Sequence, residues 1–313
     1  MSSSVSVVDL TKAYPAHTAV DHLTMSVPEG SVFGFLGPNG AGKTTTVRMV
    51  LGFARPTSGT VTVLGHDVSS STDDDLARLR RRIGFLPDVP GFYPWMSAAD
   101  VLRFAGSLVG VRGATLARRT ESLLDLAGLS GVRQKVGGYS RGMKQRLGIA
   151  QALVGAPDLL VLDEPTSALD PIGRKGVLDM VAALRGRTTV FFSTHILSDV
   201  ERVCDEVAIL DDGHLVTQGS VDELKARYGG SSRYAVEVTS DCAALCAELV
   251  AEPWAGRMVE TPAGVEVTVT DVDLARHRVP EIVAALGVGL VRFEPIETSL
   301  EDVFVSLVQG ADA

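Results

Sequence analysis

The strongest chemical signal in the sequence is Gly37-Pro38-Asn39-Gly40-Ala41-Gly42-Lys43-Thr44-Thr45, spaced as G-x-x-x-x-G-K-[ST]. Glycines at these intervals let the backbone curl into a ring of inward-facing N–H groups that can cradle phosphate oxygens, and side chains at Gly37, Gly40 and Gly42 are expected to crowd bound phosphates. Lys43 supplies a point charge for β- and γ-phosphates, and the Thr44 hydroxyl can ligate Mg²⁺. The stretch therefore suits a nucleoside triphosphate with its metal. Two further clusters could act on such a ligand. Leu159-Leu160-Val161-Leu162-Asp163-Glu164 is an apolar run ending in two carboxylates, where Asp163 can hold the metal or its water. Glu164 can accept a proton from water attacking the γ-phosphate. Tyr139-Ser140-Arg141-Gly142-Met143-Lys144-Gln145-Arg146 opens a helix with a serine and a glycine. Its hydroxyl and free N–H groups make either a second anion site or a plain N-cap.

These residues need rigid elements to hold them. Val32 to Leu36 reads as a buried strand leading into the glycine loop, and the residues after Lys43 continue as helix. That context separates a phosphate loop from a glycine-rich turn with a chance lysine. Residues 1 to 36 read as β structure, and 60 to 68 as a strand pair. Helical periodicity follows over 73–82, 97–109, 116–126 and 141–154, an insert ahead of the apolar strand 159–162. Strands recur at 189–194 and 207–210, the latter turning through Asp211-Asp212-Gly213 into 214–218. Gly229 to Ser232 reads as a linker. Beyond it come strand 233–239, helix 241–250, strands 257–260 and 265–269, helix 273–286 and strand 288–293, a βαββαβ order that predicts a ferredoxin-like α+β layer. A last helix carries Leu300, Val303, Phe304, Leu307 and Val308 on one face, with Thr298 and Glu301 spaced as a capping box. The predicted domains are 1–228, with a helical subdomain at about 88–155, and 229–313.

Composition narrows the partners. The 313 residues are 45% hydrophobic and 21% charged, ordinary values for a globular chain. A net charge of −9 argues against a nucleic-acid surface, so no nucleic-acid partner is expected. No run of 18 apolar residues would span a bilayer, and the start MSSSVSVVDL lacks a signal core, so export is not expected. Three cysteines, two of them (Cys242 and Cys246) one helical turn apart, read as small buried side chains of a reducing cytoplasm.

GPNGAGKTT, YSRGMKQR, LLVLDEPTSALD and Ser193-Thr194-His195, in that order, resemble the ATP-binding cassette ATPases, the motor subunits of ABC transporters. The resemblance covers residues 1 to about 228 and implies an α/β P-loop NTPase domain. The C-terminal stretch ETSLEDVFVSLV resembles that of the branch containing daunorubicin-resistance-type exporters. The family implies an ATPase using ATP and Mg²⁺, paired head to tail with a second ATPase subunit as a homodimer around two ATP molecules. It drives separate transmembrane permease subunits from the cytoplasmic face of a bacterial membrane, and the branch implies export of a drug, lipid or other small compound. By the same resemblance Tyr14 stacks on adenine and Thr45 touches the α-phosphate. Ser140 and Gly142 contact the partner's ATP, Ser167 and Asp170 belong to a dimer-contacting loop, and His195 contacts the γ-phosphate. On their own residues, His195 would be a packing or surface histidine and Tyr14 a half-buried tyrosine.

Two departures from the family pattern stand out. Its signature is usually Leu-Ser-Gly-Gly-Gln, whereas Tyr139-Ser140-Arg141-Gly142-Met143 keeps only the serine and second glycine, which carry the phosphate contacts. Phe85-Leu86-Pro87-Asp88 places an aspartate where the family has a metal-sensing glutamine; Asp88 offers Mg²⁺ a hard oxygen from a shorter, charged side chain. Just beyond, Phe92, Tyr93, Pro94, Trp95 and Met96 either dock a membrane subunit or close the core of the helical insert. The rival reading is a soluble ABC ATPase acting on ribosomes or DNA. The acidic charge and single phosphate loop weigh against it, and the presence of Lys43, Glu164 and His195 weighs against a catalytically dead regulator.

Overall fold

The computed structural model describes residues 2–228, 233–296 and 299–304, and the chain divides into two compact units, Met1–Val221 and Asp222–Ala313. In the first unit, alternating apolar residues make β1 (Ser3–Tyr14) and β2 (His17–Pro28) an antiparallel pair that buries Val5, Val7 and Leu10 beside Val20, Leu23 and Val27. The fully buried β3 (Val32–Leu36) starts a second sheet and runs into α1 (Lys43–Val50). β4 (Ser58–Val63) and β5 (His66–Asp67) complete the first sheet, in the order β2-β1-β4-β5.

The insert begins after α2 (Asp73–Arg80) and β6 (Ile83–Leu86), with α3 (Ala98–Leu108), α4 (Gly113–Leu126) and α5 (Arg141–Leu153). α4 starts three residues before the periodicity suggests, because Gly113, Ala114 and Thr115 carry no apolar face that would reveal the first turn. The chain returns through β7 (Leu159–Asp163), α6 (Pro171–Ala182), β8 (Thr189–Thr194), α7 (Leu197–Val203), β9 (Glu206–Asp211), β10 (His214–Ser220) and α8 (Val221–Tyr228). The second sheet runs β10-β9-β3-β8-β7-β6, parallel apart from the β9–β10 hairpin. β3, β7 and β8 read as unbroken apolar runs because both faces of a parallel sheet are covered. Their register aligns Leu36 with Thr194 and Asp163 with Ser193, so the glycine loop, the acid pair and His195 all leave from the carboxyl ends of neighbouring strands. Ligand sites of open α/β sheets lie at such ends.

The second unit opens within α8 and then has the predicted order: β11 (Arg233–Val238), α9 (Cys242–Val250), β12 (Ala255–Thr261), β13 (Gly264–Val269), α10 (Val272–Ala285) and β14 (Leu290–Ile296). Its antiparallel sheet, β12-β13-β11-β14, is the ferredoxin-like arrangement. Val236, Val265 and Val267 meet Leu245 and Leu249 of α9 and Val279 of α10 in a core of its own. At 300–304 the described part of the last helix buries Leu300 and Val303. Among the described residues Ser299 and Asp302 form a capping box: Ser299 N–H donates to Asp302 Oδ2 at 3.0 Å and Asp302 N–H donates to Ser299 Oγ at 3.2 Å. The linker 229–232, Thr298, Leu307 and Val308 lie outside the described residues. The cysteines are only partly as expected: Cys204 is buried, and burial pushes its thiol pKa up, whereas Cys242 and Cys246 are half-exposed on α9.

Candidate functional site

The loop after β3 is shaped first by its own protein. Gly42 has φ 94°, and a side chain there would run into the Ala19 carbonyl; one at Gly37 would sit 2.5 Å from the Leu210 carbonyl oxygen. At these two positions the need for glycine comes from neighbouring backbone, a constraint separate from the expected crowding of phosphate. α1 then starts at Lys43 with no side-chain cap, leaving its first N–H groups and positive dipole end facing the loop.

Lys43 is only 6% exposed, so its charge must be met inside the protein. Its Nζ donates to the carbonyls of Gly37 at 2.6 Å and Pro38 at 3.0 Å, and lies 3.3 Å from Glu164 Oε1. Glu164 has the left-handed φ of 49°, and its N–H is held at 3.0 Å by the Ser193 carbonyl. Glu164 Oε2 sits 2.8 Å from His195 Nδ1, within hydrogen-bonding distance. Glu164 Oε1 is buried and accepts no hydrogen bond, so Lys43 reaches it as a charge only. Asp163 is nearly buried beside them, accepting the Ser193 hydroxyl at 2.6 Å.

An open cleft of ≈ 390 Å³ brings Asn39, Gly40 and Gly42 to Thr45 together with Asp88, Asp163 and Glu164. His17 and Ala19 also line it and have no motif to mark them; their only signal is a position beside Tyr14, at the hairpin from β1 to β2. Tyr14 stacks on His17 with ring centroids 5.5 Å apart, and Lys12 Nζ lies 5.1 Å from the Tyr14 ring centre. Ser193 stands in the Ser193-Thr194-His195 motif, but its role of fixing Asp163 does not show in the spacing.

Ser140 and Gly142 do not line this cleft. They face a separate groove with Met143, Arg146, Asp170 and Gly173. Ser140 Oγ accepts the Met143 N–H at 3.2 Å as a true N-cap, and Asp170 Oδ1 caps α6 through Gly173 N–H at 2.8 Å. Ser167 lies nearer the cleft, donating to Asp88 Oδ1 at 2.8 Å. Thus the residues expected to contact phosphate lie on two distinct surfaces of one chain.

The aromatic stretch does not close the core of the insert. Tyr93 is 53% and Trp95 67% exposed, with ring centres 5.1 Å apart, and Phe104 of α3 meets Tyr93 edge-on at 6.3 Å. Phe92 is half-buried. The loop is nevertheless held firmly: the Pro94 and Met96 carbonyls accept the N–H groups of Gly137 at 2.9 Å and Val136 at 3.0 Å.

A glycine loop between a buried parallel strand and a helix, with an acid pair and a histidine on the neighbouring strand ends, defines a phosphate-loop ATPase. The chain belongs to the ATP-binding proteins of the ABC transporter family. It matches the ABC transporter family over residues 20–167 and the ATP-binding protein DrrA1-3-like, C-terminal domain over residues 219–308. It is 39% identical over 308 residues to the uncharacterized ABC transporter ATP-binding protein YxlF of Bacillus subtilis (strain 168), covering 98% of this chain and 100% of that protein. It is 41% identical over 224 residues to the daunorubicin/doxorubicin resistance ATP-binding protein DrrA of Streptomyces peucetius, covering 71% of this chain and 67% of that one. Among solved structures, cbiO1 from Clostridium perfringens, part of the ABC transporter complex cbiONQ, is similar with TM-score 0.66 and 26% identity, over 72% of this chain and 92% of that one. The chain is accordingly an ATP-binding subunit that hydrolyses ATP in the service of transport. No helix among the described residues is long and apolar enough to cross a membrane, which fits a separate membrane subunit.

Proposed function

We propose that the cleft at the ends of β3, β7 and β8 binds Mg-ATP, and that two copies of the chain pair head to tail to drive an exporter's membrane subunits from the cytoplasmic face. The observation carrying this reading is the division of the site: Lys43 and Glu164 line the cleft, with His195 held against Glu164, while Ser140 and Gly142 face a different groove of the same chain. A second copy is the simplest source of the missing wall.

Thr44, Asp163 and Asp88 offer hard oxygen around the cleft, a donor set that suits Mg²⁺, which when bound would neutralise phosphate charge. Arriving phosphate oxygens compete for Lys43 Nζ with the Gly37 and Pro38 carbonyls. Drawn toward the phosphates, Lys43 leaves Glu164 Oε1 without its counter-charge, which makes that oxygen a better acceptor for a water proton. His195 keeps the carboxylate aimed by holding Oε2. Tyr14 extends the His17 stack as a platform for adenine, and Thr45, Pro38, Asn39 and Ala41 complete the phosphate loop. Ser167 and Asp170 belong to the loop that contacts the second copy, and Tyr93, Trp95 and Phe92 form the contact for the membrane subunit. ATP chemistry is assigned to residues 1–228, with its helical part at about 88–155, and 229–313 to an accessory unit.

The test is the mass of a Glu164→Gln variant in solution with and without Mg-ATP. A nucleotide-dependent monomer-to-dimer shift is expected, abolished by Lys43→Ala; a variant that binds ATP yet stays monomeric would sink the head-to-tail reading. Co-purification from gently solubilised membranes checks the rest: a multi-spanning partner that raises turnover is expected, and ribosomal or DNA-repair proteins in its place would overturn it.

A further inference from the structure

Two departures from the family pattern, far apart in sequence, meet in space. Arg141, the first residue of α5, is 53 positions from Asp88, yet its Nη2 lies 3.5 Å from Asp88 Oδ1. The same carboxylate oxygen accepts the Ser167 hydroxyl at 2.8 Å, and Arg141 Nη2 is also 3.4 Å from Ser167 Oγ. One helical turn further along, fully buried Gln145 donates its Nε2 to the Asp88 backbone carbonyl at 2.8 Å. The start of α5 therefore grips residue 88 by both side chain and main chain.

Charge explains why. Three carboxylates line the cleft: Asp163 accepts the Ser193 hydroxyl, Glu164 has Lys43 and His195 beside it, and Asp88 has Arg141 and Ser167. A neutral amide at position 88 would need no counter-charge, and an aspartate there without one would repel a polyanionic ligand. Arg141 adjoins Ser140, which faces the other groove, so the pair links the two surfaces within one subunit.

We infer that Arg141 is a positioning residue of this ATPase: it neutralises Asp88 and, with Gln145, keeps the loop after β6 in register with the start of α5. The inference rests on the assignment of the cleft to ATP only for its functional readout. The experiment is a double-mutant cycle with Asp88→Gln and Arg141→Gln, two conservative changes at half-exposed sites. The first readout is affinity for ATP in EDTA, without metal. Arg141→Gln is expected to weaken binding by about twofold to fivefold, the worth of a half-exposed ion pair, and less so at high salt. In the Asp88→Gln background the same change is expected to do nothing. An equal loss in both backgrounds would overturn the inference. The second readout is amide hydrogen exchange of residues 86–92 in the nucleotide-free protein, which Arg141→Gln is expected to accelerate; unchanged exchange would overturn the positioning role. If Lys43→Ala left ATP binding intact, the assignment of the cleft would fall, while the exchange experiment would still decide the role of Arg141.

Discussion

In the cleft, the charged groups are matched before any ligand arrives: Lys43 against two carbonyls and Glu164, Glu164 against His195, Asp163 against Ser193, Asp88 against Arg141 and Ser167. Around Tyr93 and Trp95 the large side chains meet one another and water. The first surface has its charged and polar groups paired within the chain. The second is incomplete, since exposed aromatic clusters gain most of their free energy only when another surface desolvates them. A subunit built this way should lose ATP chemistry and keep its hold on the membrane subunit when the cleft is cut, and do the reverse when the patch is cut.

The largest expected effect is at Glu164. Glu164→Gln keeps shape and the contact with His195 but removes the base, so turnover should fall by about 10² to 10⁴ with ATP affinity retained. Steady-state ATPase assays alongside equilibrium binding check both halves, and wild-type turnover would mean that another group takes the proton. Next in size is Lys43→Ala. Losing a charge-assisted contact to phosphate should weaken ATP binding by about tenfold to a hundredfold, corresponding to about 1.5–3 kcal/mol. The same change strands Glu164 Oε1 without its cation, so the melting temperature should drop too. Unchanged affinity in calorimetric titration would remove the lysine from the site.

The patch should respond in the opposite way. Trp95→Ala is expected to leave the ATPase activity and melting temperature of the isolated subunit within error, because the ring is 67% exposed. Its capture of the membrane subunit should weaken by about thirtyfold, the value of a moderate interface anchor of about 2 kcal/mol. Equal recovery of the partner with wild type and variant would show that the aromatic surface serves some other contact.

How much of this could be read beforehand differs between the same two regions. GPNGAGKTT and LLVLDE name their own chemistry, because backbone phosphate binding and a strand-end acid pair each demand a fixed spacing. The alternation of Tyr234, Val236 and Val238 likewise announces one buried face, and the ferredoxin-like order follows from it. Contacts between distant segments leave no such trace. Nothing in the spacing brings Arg141 to Asp88 or Ser193 to Asp163, or decides whether the rings at 92–95 face inward. Nor is the Ser299–Asp302 box at the last helix singled out, because serine and aspartate fit the same reciprocal pattern as threonine and glutamate, so the sequence offers two registers for one cap.

The smallest expected effect tests whether the patch is held in place by the helix behind it. Ser97 caps α3 in a reciprocal box: its Oγ accepts the Asp100 N–H at 3.2 Å, and Asp100 Oδ2 accepts the Ser97 N–H at 3.1 Å and its hydroxyl at 2.6 Å. These bonds, the Ser97 hydroxyl foremost, hold the Asp100 carboxyl below the usual aspartate range. A depressed folded-state pKa means that the carboxylate's contribution is complete above the unfolded aspartate pKa, near 4, and is lost as pH falls through the lower folded value. Ser97→Ala should therefore cost about 1 kcal/mol at pH 7, seen as a reduced denaturation midpoint, with the gap from wild type narrowing under acid conditions. A gap independent of pH would assign the loss to the helix cap alone. Because Tyr93 and Trp95 lie just before this cap and Phe104 lies on α3 itself, the variant should also blur the ring cluster, read as weaker capture of the membrane subunit at unchanged ATPase activity. Loss of stability with capture intact would show that the backbone bonds from Gly137 and Val136 are enough to set the rings.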